Sequence, residues 1–318
     1  MTDSLPPDIL STAARRLADV LDDHDQWLVL SGAGMSTASG IPDYRGPDGR
    51  RRVQPMTIQE FRSSSAARQR YWARSYVGWQ RFEAAAPNAA HAAVTHLQQR
   101  GVVGSVITQN VDGLHQRAGT TRVTELHGSL ARVVCEHCGE HTSRRALDAR
   151  MREANPTYEV SSDEIRPDGD VSLHEVDVAR FVAPRCLVCG SDQLRPDVVF
   201  FGDAVDRELV AHCFELVADA PGLLVLGSSL QVMSGLRFVR RAAALGRPVV
   251  LVTRGRTRGD DLVARQFEEP LELILPAVAG QASDTRSAIT MSSSAGWSDK
   301  GDTVKTVSSD CTPQMSTS

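Results

Sequence analysis

Lysine is almost missing from this chain: of 35 basic residues only Lys300 and Lys305 are not arginine. That bias fits a GC-rich coding sequence, and it leaves the first 299 residues without a side-chain amine. Aromatic residues are scarce at 5%, and no apolar run approaches the roughly 20 residues of a membrane-spanning helix. A large charge of one sign is lacking too. A formal net charge of -4 over 318 residues offers no electrostatic footprint for nucleic acid. Met1 to Pro6 lack the basic-then-apolar pattern of a signal peptide and the arginine-rich, acid-poor composition of a transit peptide, so the expectation is a soluble, cytoplasmic protein. Of six cysteines, four fall in two Cys-X-X-Cys pairs and two stand alone, a pattern that in a reducing compartment favours a metal over disulfides.

What is present reads as an α/β protein. Ile9, Ala13, Leu17 and Val20-Leu21 recur at helical spacing ahead of a short apolar strand, Trp27 to Leu30. A polar, arginine-rich segment from Pro47 to Pro55 leads into a helical region carrying Phe61, Tyr71, Trp72, Tyr76, Trp79 and Phe82, long enough to be an insertion. A helix over 88–99 and a strand over 102–108 follow, then short strands at 121–126, 198–201, 223–226 and 249–252, with helices at 207–218 and 236–245 between the later ones. A last helix-strand pair is expected to run to Leu275. Alternation at these lengths implies a parallel sheet covered on both faces, a Rossmann-like arrangement. From Gln281 the composition turns Ser/Thr-rich without periodicity, the signature of a disordered tail.

The first strand breaks into Gly32-Ala33-Gly34-Met35-Ser36-Thr37. Glycines there let bare backbone approach a diphosphate. The dehydrogenase fingerprint wants a third glycine two residues on, and here Met35 and Ser36 follow, so the loop read alone is either a dinucleotide-binding variant or a tight turn. Gln109-Asn110-Val111-Asp112 sits at the end of the second strand, where open α/β sheets bind ligands; a capping turn is the alternative. His127-Gly128 ends another strand. Cys135, Cys138, Cys186 and Cys189 have the spacing of a closed, structural four-thiolate zinc site. The 47 residues from Gly139 to Arg185 exceed a usual zinc-ribbon gap, so the acidic stretch Asp163 to Asp170 reads as an inserted loop.

Taken together, Gly32 to Ser36 with Gly40-Ile41-Pro42-Asp43-Tyr44-Arg45, then Thr108 to Asp112, Leu126-His127-Gly128, the two cysteine pairs and Gly227-Ser228-Ser229 resemble the sirtuins, NAD-dependent protein deacylases, in the family's order over roughly residues 8–278. Arg68 to Arg74 with Val77-Gly78-Trp79 is similar to the class II branch, which includes the mitochondrial sirtuin with lipoamidase and ADP-ribosyltransferase activities. The resemblance implies one catalytic domain over 1–280, with Rossmann-like parts near 8–46, 88–133 and 192–278, a helical insertion near 47–87, a zinc module near 134–191 and a tail over 281–318. It implies NAD as a consumed co-substrate, one structural zinc ion and acyl-lysine-bearing proteins as partners.

By the same resemblance, backbone amides of Ala33 and Gly34 hold the diphosphate, with Gly32, Ser36, Thr37 and Gln109 beside them, and Asp43, Tyr44 and Arg45 close over the nicotinamide ribose. Asp112 receives the nicotinamide carboxamide and Asn110 positions the ribose and a water. After the acyl oxygen attacks the ribose C1′, His127 serves as general base on the ribose hydroxyls, a task suited to a side chain that titrates near neutrality. Gly227, Ser228 and Ser229 approach the adenosine ribose and phosphate; Thr253 stands where many sirtuins carry asparagine, and Val232 falls in the segment that pairs with substrate peptide. Tyr71 and Arg74 form the Tyr-X-X-Arg pattern with which desuccinylating sirtuins grip an acidic acyl chain, so a carboxylate-bearing acyl group is one expectation; a packed tyrosine and a solvated arginine is the other. Competing functions are a protein mono-ADP-ribosyltransferase using the same site and a non-catalytic NAD sensor.

Overall fold

The computed structural model describes residues 6–45, 51, 54–164 and 166–280. The tail read for 281–318 and most of the arginine-rich segment after Arg45 lie outside the described residues. The main sheet holds β1 (Trp27–Ser31), β2 (Val103–Thr108), β3 (Val123–Glu125), β7 (Leu223–Leu226), β8 (Val249–Val252) and β9 (Arg265–Phe267) in the order β3-β2-β1-β7-β8-β9, every pair parallel. The segments Trp-Leu-Val-Leu, Leu-Leu-Val-Leu and Val-Val-Leu-Val are buried at every position, as strands covered on both faces must be.

Helix α1 (Pro7–Asp22), helix α4 (Ala89–Gln99) and a helix over 271–280 pack on one face around Leu17, Val94, Leu97 and Ile274. Helices α8 (Arg207–Asp219) and α9 (Met233–Ala244) cover the other around Val217, Leu236 and Phe238, and the lone Cys213 is an interior residue of that layer. Truncating any of these buried aliphatic side chains to alanine would cost about 2–5 kcal/mol.

Two readings of the elements need correction. The strand expected at 198–201 is β6 (Leu194–Val198), and it does not join the parallel sheet; it pairs antiparallel with β4 (Gly128–Cys135), which also pairs with β5 (His141–Ser143). The last two elements come in the reverse order, β9 first and the helix over 271–280 after it. An apolar run of four residues has no period that distinguishes the two sheets. The small sheet packs with α6 (Arg144–Ala154) and α7 (Glu175–Arg180) against the helical insertion, α2 (Ile58–Ser63) and α3 (Ser65–Ala84). Trp72 anchors that layer: fully buried, it donates its indole N–H to the Leu194 carbonyl at 2.9 Å.

Candidate active site

Neighbours β2 and β7 flank β1 on opposite sides, so the chain reverses its direction of winding there and leaves a crevice at the strands' C-terminal ends. The three glycines of that crevice serve one another. A Cβ on Gly32 would lie 2.9 Å from the Gly227 oxygen, one on Gly34 2.9 Å from the Gly227 Cα, and Gly227 itself adopts φ +61. The Gly34 amide donates to the Gly227 carbonyl at 2.9 Å. That amide, expected to face a diphosphate, is therefore engaged by protein. The glycine motif is first a packing device between two strand ends.

A cavity of about 1020 Å³ opens from this crevice. Its wall collects Gly32, Ala33, Gly34, Ser36 and Thr37; Asp43, Tyr44 and Arg45; Gln109, Asn110, Asp112 and His127; Gly227, Ser228, Ser229 and Val232; and Thr253 and Tyr71. Arg74 is not part of that wall.

Short bonds set the polar groups at its centre. Asn110 Nδ2 donates to the Gly32 carbonyl at 3.0 Å and to Ser36 Oγ at 3.1 Å, and Ser36 Oγ donates to Asp112 Oδ2 at 2.6 Å. Asp112 Oδ1 also accepts the Leu114 amide at 2.9 Å, closing an Asx turn ahead of α5 (Leu114–Arg117). Burial raises the Asp112 pKa, against the opposing pull of the Ser36 hydroxyl and the Leu114 amide. The turn bond and a place on the cavity wall thus coexist in one side chain.

His127 lies in the turn between β3 and β4. Gly128 makes that turn possible: it adopts φ +77, and a Cβ there would fall 2.1 Å from the Asp197 carbonyl oxygen. The His127 Nδ1–H donates to the Gln109 carbonyl at 2.9 Å, since a carbonyl only accepts. Nε2 therefore keeps its lone pair in the neutral ring and accepts from the Ser234 hydroxyl at 2.9 Å. Burial lowers the His127 pKa, the Gln109 bond opposes this and Arg237 adds to it. The result is a neutral, oriented base. α9 reaches this close because residue 235 is glycine; a Cβ there would meet the Gln109 amide oxygen at 2.6 Å.

The Tyr-X-X-Arg pair matches neither expectation whole: the tyrosine is packed, as in one, but the arginine is not solvated. Tyr71 packs edge-on against Phe61 and Trp72 with ring centroids 5.3 and 5.2 Å apart. Arg74 donates from Nε to the Val171 carbonyl at 2.7 Å and pairs with Asp170 at 2.9 Å. It is neither a solvated surface charge nor a free clamp. Burial raises Asp170 to about 7, with Arg74 opposing and Asp168 reinforcing the shift.

The sequence signature described as the Sir2 family matches residues 32–234, a stretch that contains the crevice loop, the Asn110-Asp112 strand end, His127 and both cysteine pairs. The chain belongs to the Sir2 family. It is 54% identical over 253 residues to the NAD-dependent protein deacetylase 1 of Streptomyces coelicolor, covering 79% of this chain and 84% of that one. It is 45% identical over 255 residues to the bovine mitochondrial NAD-dependent protein lipoamidase sirtuin-4, covering 79% and 81%. A solved Sir2 complex with a p53 peptide and NAD+ superposes with a TM-score of 0.68 at 29% identity, over 85% of this chain and 98% of that one.

In this Sir2 family member the four thiolates sit apart from the cavity. The Sγ atoms of Cys135, Cys138, Cys186 and Cys189 all lie within 4.8 Å of one another, with Cys135–Cys189 and Cys138–Cys186 at 3.7 Å. A tetrahedron with zinc–sulfur bonds of about 2.3 Å has edges of about 3.8 Å, so the donor set fits one zinc ion with no open position. Each pair is closed by the same turn, Gly139 (φ +76) and Gly190 (φ +71) donating to the carbonyls of Cys135 and Cys186 at 2.8 and 2.9 Å.

Ser234, at the head of α9, is a residue of the cavity wall that no sequence motif marks. His91 and His115 do not line the cavity. Both are fully buried, 5.1 Å apart between ring centroids, directly behind the site. His115 Nε2 bonds Ser31 Oγ at 3.0 Å, Ser31 Oγ donates to Thr108 Oγ1 at 2.9 Å, and Thr108 Oγ1 accepts the Asn110 amide at 3.1 Å.

Proposed function

We infer that this chain is an NAD-dependent protein-lysine deacylase, converting NAD and an acyl-lysine side chain into nicotinamide, free lysine and 2′-O-acyl-ADP-ribose. The observation that carries the reading is His127. Its Nδ1–H is held by Gln109, and its Nε2 lone pair lies on the wall of the same cavity as Asn110 and Asp112. That is the arrangement a general base needs to take a proton from a substrate hydroxyl. The relatives named as NAD-dependent deacetylases and the Sir2 enzyme solved with 2′-O-acetyl-ADP-ribose and deacetylated peptide support it.

The remaining roles are those the family resemblance implies, for residues that line one cavity. NAD enters the crevice with its diphosphate toward Ala33, Ser36 and Thr37 and its adenosine toward Ser228, Ser229 and Thr253. Asp112 and Asn110 take the nicotinamide end, Asp43, Tyr44 and Arg45 cover it, and Val232, 39% exposed at the head of α9, meets the peptide. Zinc ties the two cysteine turns together and takes no part in the reaction. A thiolate tetrad needs reduced cysteines, which supports a cytoplasmic location.

Mass spectrometry of an acetyl-lysine peptide incubated with enzyme, with and without NAD, tests the reading. Deacetylated peptide and acetyl-ADP-ribose are expected in equal amounts, only with NAD. Deacetylation without NAD, or ADP-ribose attached to protein with no acyl-ADP-ribose, overturns it.

A further inference from the structure

The acyl end of the cavity is shaped by the stretch between the two cysteine pairs. Its segment Pro167-Asp168-Gly169-Asp170-Val171, with Asp163 ahead of it, is docked on α3 by three contacts one turn apart. Arg74 binds Asp170 and the Val171 carbonyl at 2.9 and 2.7 Å; a Cβ on Gly78 would fall 2.3 Å from the Gly169 carbonyl oxygen; Arg81 holds Asp163 through its carbonyl and carboxylate at 2.8 and 2.9 Å. Gly169 itself adopts φ +68. A helix glycine facing a left-handed loop glycine lets two backbones approach where side chains would hold them apart. The loop is therefore built to sit here.

Its consequence is electrostatic. Asp168 and Asp170 line the cavity beside Tyr71, while Arg74 is withdrawn behind them. Arg166 bonds Glu164 at 2.7 Å and lies 3.9 Å from Asp170. No ion pair reaches Asp168 among the described residues; the nearest contact its carboxylate accepts is the Asp170 amide at 3.3 Å. Elsewhere on the wall, Arg51 lies over the Phe201 ring at 4.7 Å. The two guanidiniums of the loop face, Arg74 and Arg166, are thus engaged by Asp170 and Glu164 before any substrate arrives. An acyl chain ending in a carboxylate would have to displace one of these partners, in a site where its own water is stripped away.

We propose that Asp170 masks Arg74, so that this acyl channel rejects chains ending in a carboxylate and accepts neutral chains, favouring a hydrogen-bond donor at the far end for Asp168 to receive. The proposal rests on the deacylase reading and specifies its substrate class. It reverses what Tyr71 and Arg74 imply as a pair of residue types.

The test is a matched pair of peptides, succinyl-lysine and its isosteric amide, succinamoyl-lysine, assayed with NAD. The full chain should turn over the amide with kcat/KM at least about tenfold above the acid, the scale on which a misplaced like charge discriminates. Asp170→Asn keeps the oxygen that accepts the Val171 amide and frees the guanidinium; it should lower the amide-to-acid ratio by about tenfold, and Arg74→Ala added to it should remove that gain. Equal turnover of the two peptides by the wild-type chain, or preference for the acid, overturns the proposal without needing the variants. Acetyl-lysine turnover in the same assay separates that result from failure of the deacylase reading, in which no peptide is processed and both fall.

Discussion

The hydroxyl of Ser234 lies 2.9 Å from Nε2 of His127, on the one ring nitrogen left free to accept a proton. On the proposed mechanism a ribose hydroxyl approaches this same nitrogen. It donates to the neutral ring, and once the ring is protonated it can accept from Nε2–H. Removing the imidazole removes the base but leaves the cavity walls standing. His127→Ala is therefore expected to lower deacylation by about 10²–10⁴-fold. Exchange of labelled nicotinamide into NAD, which needs no base at the ribose hydroxyl, should persist. Parallel assays of the two activities check this; loss of both in proportion would contradict the assignment.

Burial keeps His127 neutral, so its pH dependence has a definite sign. A base works deprotonated, and a lowered pKa extends that state downward. The acid limb of kcat/KM should lie below the ordinary histidine value of 6.5. A pH–rate profile with its acid limb above that value would show that the ring is charged in the free enzyme.

The buried pair behind the site sets a stability profile. Burial lowers His91 to about 4, and burial together with His91 lowers His115 to about 3, from 6.5 in the unfolded chain. The unfolded state then binds more protons at mildly acid pH. The stabilisation is fully present above pH 6.5 and is lost as the pH falls toward 4 and 3, by an amount on the order of a few kcal/mol. Urea unfolding midpoints measured through that window should fall steadily; a flat profile would mean that the rings are solvated.

Zinc removal should act on folding before chemistry. The tetrad joins β4 to the turn before β6, so Cys186→Ser or a strong chelator is expected to lower the melting temperature and to release about one zinc ion per chain. Elemental analysis beside thermal unfolding checks it, and an unchanged melting temperature after metal loss would remove the structural role.

Gly128→Ala tests the turn that presents His127. Its φ of +77 and the 2.1 Å approach of the Asp197 oxygen leave no room for a methyl group. A cost of about 1–3 kcal/mol is expected for forcing a side chain into that conformation. A melting temperature within a degree of the wild type would show that β4 and β6 can part at no cost.

Local spacing carried the parts of this protein that the sequence alone determined. Four apolar residues in a row made strands legible but not the sheet each one joins, Cys-X-X-Cys made each half of the metal site, and a histidine before a glycine at a strand end marked the turn that brings His127 to the cavity wall. Each of these is a relation between near neighbours, fixed by backbone geometry. What only the tertiary structure decided are relations across long stretches of chain. Asp170 meets Arg74 across 96 positions and Ser234 meets His127 across 107, and no periodicity records either contact. The same holds for Gly34 and Gly227, 193 positions apart, whose backbones approach each other where a Cβ on either would clash. Residue types announce which chemistry is available. Packing decides where each of those groups stands and which partners hold it, because a buried polar group is fixed by the hydrogen bonds that satisfy it.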